Sequence, residues 1–130
     1  MTERLQFYKC KVCGNLVQVI LSGEGELVCC GQPMTLVEAH KNDEEMNEKH
    51  VPVFSVTDKN GAEIQVGSVM HPSTNEHYIQ FIETISHDKK SVNLQYFEPY
   101  DEPIMLLKDK IGVYNAKAFC NLHGLWEGEG

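Results

Sequence analysis

Val51-Pro52-Val53-Phe54-Ser55-Val56-Thr57-Asp58-Lys59-Asn60-Gly61-Ala62-Glu63-Ile64-Gln65-Val66 is the stretch whose reading decides the fold. Two β-branched runs, 51–56 and 62–66, flank Asp58-Lys59-Asn60-Gly61. Asn-Gly tolerates the left-handed backbone of a tight two-residue turn, whose twist suits the strands it joins, so the stretch predicts an antiparallel hairpin. Similar runs return at 78–85, 91–97, 104–107 and 111–119, a spacing typical of sandwiches and small barrels. Tyr78-Ile79-Gln80-Phe81-Ile82-Glu83 is almost continuously apolar, as expected of a well-buried strand. No long amphipathic helix, internal repeat or low-complexity tract interrupts the pattern. The fold class is all-β.

Upstream of the hairpin the chain changes character. The first 37 residues hold four of the five cysteines and only short strand-like runs, Leu16 to Leu21 and Gly25 to Val28. So small a segment buries too little apolar surface to fold alone, and a metal cross-link is the usual remedy. The polar stretch from Glu38 to Glu48 reads as a solvated linker. The expected domains are therefore 1–37 and 38–130.

Composition narrows the classes of function. The 130 residues are 42% hydrophobic and 23% charged, values of a soluble globular protein. No apolar run approaches the roughly 20 residues that span a bilayer. The N-terminal Met1-Thr2-Glu3-Arg4-Leu5-Gln6-Phe7-Tyr8-Lys9 lacks the apolar core of a signal peptide, so a cytoplasmic location and no membrane partner are expected. In that reducing compartment an odd count of five cysteines points to metal or redox chemistry before disulfides. A net charge of −8 argues against nucleic acid as a partner, and a small anionic substrate would need a local patch of positive charge.

Cys10-Lys11-Val12-Cys13 places two thiolates on one side of a tight loop, and Cys29-Cys30 supplies two more after fifteen intervening residues. Gly14 and Gly31 permit the close backbone approach that such knuckles need. Four thiolates in a tetrahedron suit zinc or iron, and the spacing by itself favours a zinc ribbon. The adjacent pair Cys29-Cys30 departs from that pattern and implies a distorted tetrahedron. The segments Tyr8-Lys9-Cys10-Lys11-Val12-Cys13-Gly14-Asn15 and Leu27-Val28-Cys29-Cys30-Gly31 resemble desulforedoxin, an iron–tetrathiolate protein. The resemblance implies that the ion is iron.

The fifth cysteine opens Cys120-Asn121-Leu122-His123, a spacing that lets thiolate and imidazole reach one metal. His50 heads a strand, while His71 and His77 flank the polar loop Pro72-Ser73-Thr74-Asn75-Glu76. All lie at strand ends or loops, where side chains from separate strands converge. Each alone reads more readily as a hydrogen-bonded structural histidine; together with Cys120 and His123 they read as a metal site. His40 and His87 sit in polar company and read as surface residues.

Glu48-Lys49-His50-Val51-Pro52, Val66-Gly67-Ser68-Val69-Met70-His71-Pro72, Glu76-His77-Tyr78-Ile79 and Cys120-Asn121-Leu122-His123-Gly124 resemble, in order, the motifs of the desulfoferrodoxin family, across essentially the whole chain. That resemblance implies an immunoglobulin-like seven-stranded β-barrel or sandwich behind the desulforedoxin-like knuckle domain. It implies two irons per chain, one held by Cys10, Cys13, Cys29 and Cys30. The other would have His50, His71, His77 and His123 as equatorial ligands and Cys120 as the axial thiolate. Lys49 and Glu48 would stand at the open sixth position as the catalytic pair. The implied activity is one-electron reduction of superoxide to hydrogen peroxide, with rubredoxin or a similar protein returning the electron and a homodimer as the assembly. Leu125 stands before Trp126 where the resemblance would place a second histidine, a position that is not among the ligands. Three other readings compete: a superoxide dismutase, a non-catalytic zinc ribbon joined to a β-sandwich, and a copper electron-transfer site. Four converging histidines overshoot the copper pattern.

Overall fold

The computed structural model describes residues 1–40, 50–56, 61–68, 70–107 and 113–129. Among them the chain forms twelve β-strands in two compact units, Met1–Glu38 and Ala39–Gly130. No helix among the described residues is long and apolar enough to cross a membrane.

The first unit contains β1 (Phe7–Lys9), β2 (Leu16–Gln18), β3 (Val28–Cys29), β4 (Gln32–Pro33) and β5 (Thr35–Val37). An antiparallel sheet of order β2-β1-β5 stands beside the small β3-β4 ribbon. The strand expected to reach Leu21 stops at Gln18. Val19 leaves the ladder to exchange backbone bonds with Leu5 and Gln6, and Ile20 and Leu21 turn outward into solvent. Phe7, Cys10 and Val19 are the buried apolar residues described in this unit. Three side chains are too small a core to offset the ordering entropy of nearly forty residues, so the cysteine cluster must carry much of the stability.

The second unit contains β6 (Pro52–Val56), β7 (Ala62–Val66), β8 (Ile79–Ser86), β9 (Val92–Tyr96), β10 (Ile104–Leu107), β11 (Val113–Cys120) and β12 (Gly124–Glu129). These seven strands form two sheets, of order β10-β7-β6 and β12-β11-β8-β9. The expected hairpin is present: β6 and β7 pair antiparallel from Pro52↔Val66 to Val56↔Ala62. Its turn, 57–60, lies outside the described residues. Strand β12 was not anticipated, because Gly124, Gly128 and two glutamates give it little strand propensity. It is fixed instead by pairing with β11 from Cys120↔Gly124 to Asn115↔Glu129.

Ile64, Val66 and Met105 from one sheet meet Ile79, Ile82, Ala116, Ala118 and Cys120 from the other, with Phe97 completing the core. Small Ala116 and Ala118 on β11 share this cluster with larger isoleucines, the alternation of sizes that lets layers interdigitate. Between Phe119↔Phe81 and Cys120↔Ile79 the ladder slips, leaving Gln80 as an extra residue on β8. Such bulges re-aim side chains beside functional sites; here the bulge falls where Cys120 ends its strand.

Gly128 has no room for a side chain, since a Cβ there would collide with the Pro52 carbonyl oxygen on β6. The obstacle is backbone and cannot swing aside. Gly128→Ala is expected to lower unfolding free energy by about 1–3 kcal/mol, read as a fall in the urea midpoint at unchanged slope. An unaltered midpoint would mean that β12 shifts without cost.

Candidate metal centres

Cys10, Cys13, Cys29 and Cys30 bring their sulfurs within 4.8 Å of one another. Two tight turns do this. Gly14 N–H donates to the Cys10 carbonyl at 3.0 Å, closing the first, and Cys30 with Gly31 turns the chain between β3 and β4 in the second. Gly14 has φ +83° and Gly31 φ +72°, backbone that a side chain would strain, which is why glycine follows each cysteine pair. The Cys13 and Cys29 sulfurs are 3.5 Å apart, those of Cys29 and Cys30 3.9 Å. Four thiolates bound at about 2.3 Å in a tetrahedron stand about 3.8 Å apart, so the cluster fits one ion.

Its electrostatics agree. The backbone N–H of Cys13 points at the Cys10 sulfur and holds that thiol down at about 6. Its sulfur neighbours Cys13 and Cys29 push Cys30 up to about 12, and Cys29 is raised for the same reason. One thiolate forms readily; four together require a cation among them.

The second cluster is assembled from four separate segments of the sandwich. His50 precedes β6, beside Val51, whose carbonyl accepts Gly67 N–H at 3.0 Å. His71 follows β7, its own N–H donating to the Val66 carbonyl at 3.1 Å. His77 ends a turn in which its N–H donates to Thr74 Oγ1 at 3.2 Å. Cys120 ends β11, and His123 closes the turn into β12. His50, His71 and Cys120 are buried, and His77 and His123 half-buried.

The four imidazoles form a closed four-sided ring. Successive centroids, His50–His71–His77–His123, lie 4.7, 4.6, 5.0 and 4.9 Å apart around the circuit. The His50–His77 diagonal is longer, at 6.2 Å. Neighbouring rings stand nearly perpendicular, at 73° to 86°, and the two diagonal rings are within 32° of parallel. His50 Nε2 is 3.2 Å from His71 Nε2 and 3.1 Å from His123 Nδ1. Two nitrogens each bound at about 2.1 Å to one ion, at right angles, lie about 3.0 Å apart. The Cys120 sulfur is 3.8 Å from His123 Nδ1, and the donors of His50, His77, Cys120 and His123 all fall within 4.8 Å of one another.

The protonation states fit a cation at this focus. His71 Nδ1 is 2.7 Å from the Pro72 carbonyl, which only accepts, so the proton sits on Nδ1 and the Nε2 lone pair faces His50. A proton on His50 Nε2 satisfies one neighbour at most; a central cation meets every lone pair. Burial raises the Cys120 thiol, opposed by the N–H groups of Leu122 and His123, so its thiolate form also calls for a bound cation. Four nitrogens and one sulfur exceed the four donors of a closed structural zinc site and leave an octahedral ion one free position.

In metal-free protein, burial lowers His71 to about 4, opposed by the Pro72 carbonyl and aided to a smaller extent by His50, His77 and His123. An unfolded imidazole takes its proton near 6.5. Between those values the unfolded chain binds more protons than the folded one, so stability falls as the pH drops. The His71 contribution to the urea midpoint of metal-free protein is expected to be constant above about pH 6.5, to decline towards about 4 and to level below. His71→Leu should remove most of that slope. An identical slope in both proteins would assign it to other groups.

The structure thus gathers His50, His71, His77, Cys120 and His123 at one focus, while Glu48 and Lys49 lie outside the described residues. His40 and His87 are exposed, as read from the sequence. Sequence reasoning passed over two residues. Asn121 clamps the His77 loop to the Cys120 turn: its Oδ1 accepts Tyr78 N–H and its Nδ2 donates to the Glu76 carbonyl, both at 3.0 Å. Its place between Cys120 and His123 was the available signal. Trp126 stacks on His50 at 4.8 Å and donates from Nε1 to the His123 carbonyl at 3.1 Å. No local pattern marks it.

A β-sandwich whose strand ends present four imidazoles and a buried thiolate to one point defines a mononuclear metalloprotein, here carrying a separate tetrathiolate knuckle. Residues 42–129 match the family described as Desulfoferrodoxin, and residues 2–37 match Desulfoferrodoxin, N-terminal domain. The chain belongs to the desulfoferrodoxin family. It is 47% identical over 130 residues to a desulfoferrodoxin homolog of Archaeoglobus fulgidus, covering 98% of each chain. It is 45% identical to the desulfoferrodoxin of Syntrophotalea carbinolica over the full length of both. Among solved structures it is similar to the superoxide reductase from Treponema pallidum, with a TM-score of 0.73 at 28% identity, covering 98% of this chain and 99% of that one.

Proposed function

We propose that this protein is a superoxide reductase, adding one electron and two protons to superoxide to give hydrogen peroxide. The observation that carries the reading is the four-sided imidazole ring with the Cys120 sulfur in reach. His50, His71, His77 and His123 serve as nitrogen ligands and Cys120 as the thiolate of one iron. Cys10, Cys13, Cys29 and Cys30 hold a second iron, in a domain spanning 1–37, with the catalytic domain at 38–130. Iron supplies the one-electron step, cycling between ferrous and ferric states.

The side chains arrange everything else. Four neutral imidazoles and one thiolate leave a ferrous site with a net charge of about +1. Lys49 adds a second positive charge next to His50 in sequence, drawing an anion inward against an overall charge of −8. Glu48 is the carboxylate partner at the free position. Cys120, held in the core by β11, keeps its sulfur shielded from water, so its electron density is directed to the metal. An external carrier such as rubredoxin returns the electron, in the cytoplasm, to a homodimer.

The test is a visible spectrum with iron quantitation, taken before and after superoxide is added to reduced protein. Two irons per chain are expected, with one reductant electron consumed per superoxide and no dioxygen released. Dioxygen release would point to dismutation, and zinc in both sites would point to a binding module.

A further inference from the structure

The rings of His40, Trp126 and His50 are in successive contact, from an exposed residue to a buried one. The His40 ring lies 4.6 Å from that of Trp126, tilted by 38°. The Trp126 ring lies 4.8 Å from that of His50, stacked at 28°. His40 is exposed, whereas Trp126 and His50 are only 4% and 2% exposed. The backbone fixes the outer ring: His40 N–H donates to the Leu125 carbonyl and Glu127 N–H to the His40 carbonyl, both at 2.9 Å. His40 thus lies alongside β12 as a parallel bridge to Trp126. The Nε1 bond to the His123 carbonyl fixes the middle ring. Burial alone requires none of this alignment, and a solvent-facing histidine gains little by lying against an indole.

We propose that this stack is the electron-entry path of the catalytic centre: a one-electron carrier protein docks over His40, and its electron reaches the His50-bound iron through Trp126. The inference rests on the superoxide reductase reading and names where the donor delivers. The carrier is oxidised by one electron and the ferric centre is reduced by one. No bond breaks and no proton moves; the rings couple the two centres through ring contact without themselves being oxidised. Electronic coupling falls steeply across empty gaps, and here ring contact continues from solvent to ligand.

The test compares wild type, His40→Ala and His40→Phe, each loaded with iron, with reduced rubredoxin as the carrier. His40→Ala is expected to slow re-reduction of the ferric centre severalfold, and His40→Phe to restore it, because phenylalanine keeps the π face while removing the imidazole nitrogens. The superoxide half-reaction and the midpoint potential are expected to match wild type in both. In zinc-loaded protein, adding rubredoxin should shift the His40 amide and Trp126 indole resonances. The proposal is overturned by a wild-type re-reduction rate in His40→Ala, by His40→Phe as slow as alanine, by a shifted potential that accounts for the slowing, or by resonance shifts elsewhere. A wild-type protein that does not oxidise its ferrous centre with superoxide would overturn the functional reading instead.

Discussion

Cys120→Ser is expected to abolish superoxide reduction, with a loss of about 100-fold or more, since even changes to groups that merely support a ligand cost about 10–100-fold. Serine is close in size, so the core should persist. It does leave a hydroxyl at a position that is 0% exposed, among Ile64, Ile79 and Ala118. That costs about 1–3 kcal/mol where the hydroxyl finds no partner. The chemical loss is larger than the structural one. A hydroxyl is not deprotonated as a thiol is, and it lacks the soft electron density that sulfur gives a metal. The measurement is the rate of ferrous oxidation by superoxide, with iron quantitation and a urea midpoint on the same sample. His87→Ala, altering an exposed histidine, is the control and should leave all three unchanged. Wild-type reactivity in iron-loaded Cys120→Ser would exclude the sulfur from the chemistry.

Cys13→Ser should have an effect of comparable size, on a different property. The first unit has three buried apolar side chains described, and a tetrahedral ion in a small domain supplies about 10–16 kcal/mol of folding energy. Removing one sulfur, which lies 3.5 Å from that of Cys29, is expected to release the first iron and to make residues 1–38 readily cleaved by protease. The superoxide reaction should survive, because its ligands all belong to the second unit, Ala39–Gly130. Protease mapping and iron stoichiometry read the first effect, and stopped-flow oxidation reads the second. Loss of the superoxide reaction while the second unit stays folded and iron-bound would make the tetrathiolate iron an obligatory electron relay.

What could be read from the chain was whatever is short-range in sequence. The Asn60-Gly61 hairpin, the β8 run and the paired cysteines all express local chemistry: turn conformation, apolar continuity and the reach of two sulfurs across one loop. Cys120 and His123 belong to the same class. Strand β12 escaped because its propensity is poor and its existence depends on the β11 edge it pairs with. The expected strand over 16–21 stopped short for the complementary reason: the ladder with β1 ends at Phe7↔Gln18, and Val19 bonds to Leu5 and Gln6 outside it while Ile20 and Leu21 face solvent.

The sequence by itself determined which donors exist: four sulfurs in two pairs, and the histidines at strand ends. Only the tertiary structure decided that His50, His71, His77 and His123 close into one ring, and that Trp126 stacks on His50 with His40 against Trp126. The physical reason is range. Turn and strand preferences act over a few residues, whereas the ring is set by the pairing of strands within two sheets and by the Asn121 clamp, which bring donors from opposite ends of the second unit within 4.8 Å of one another.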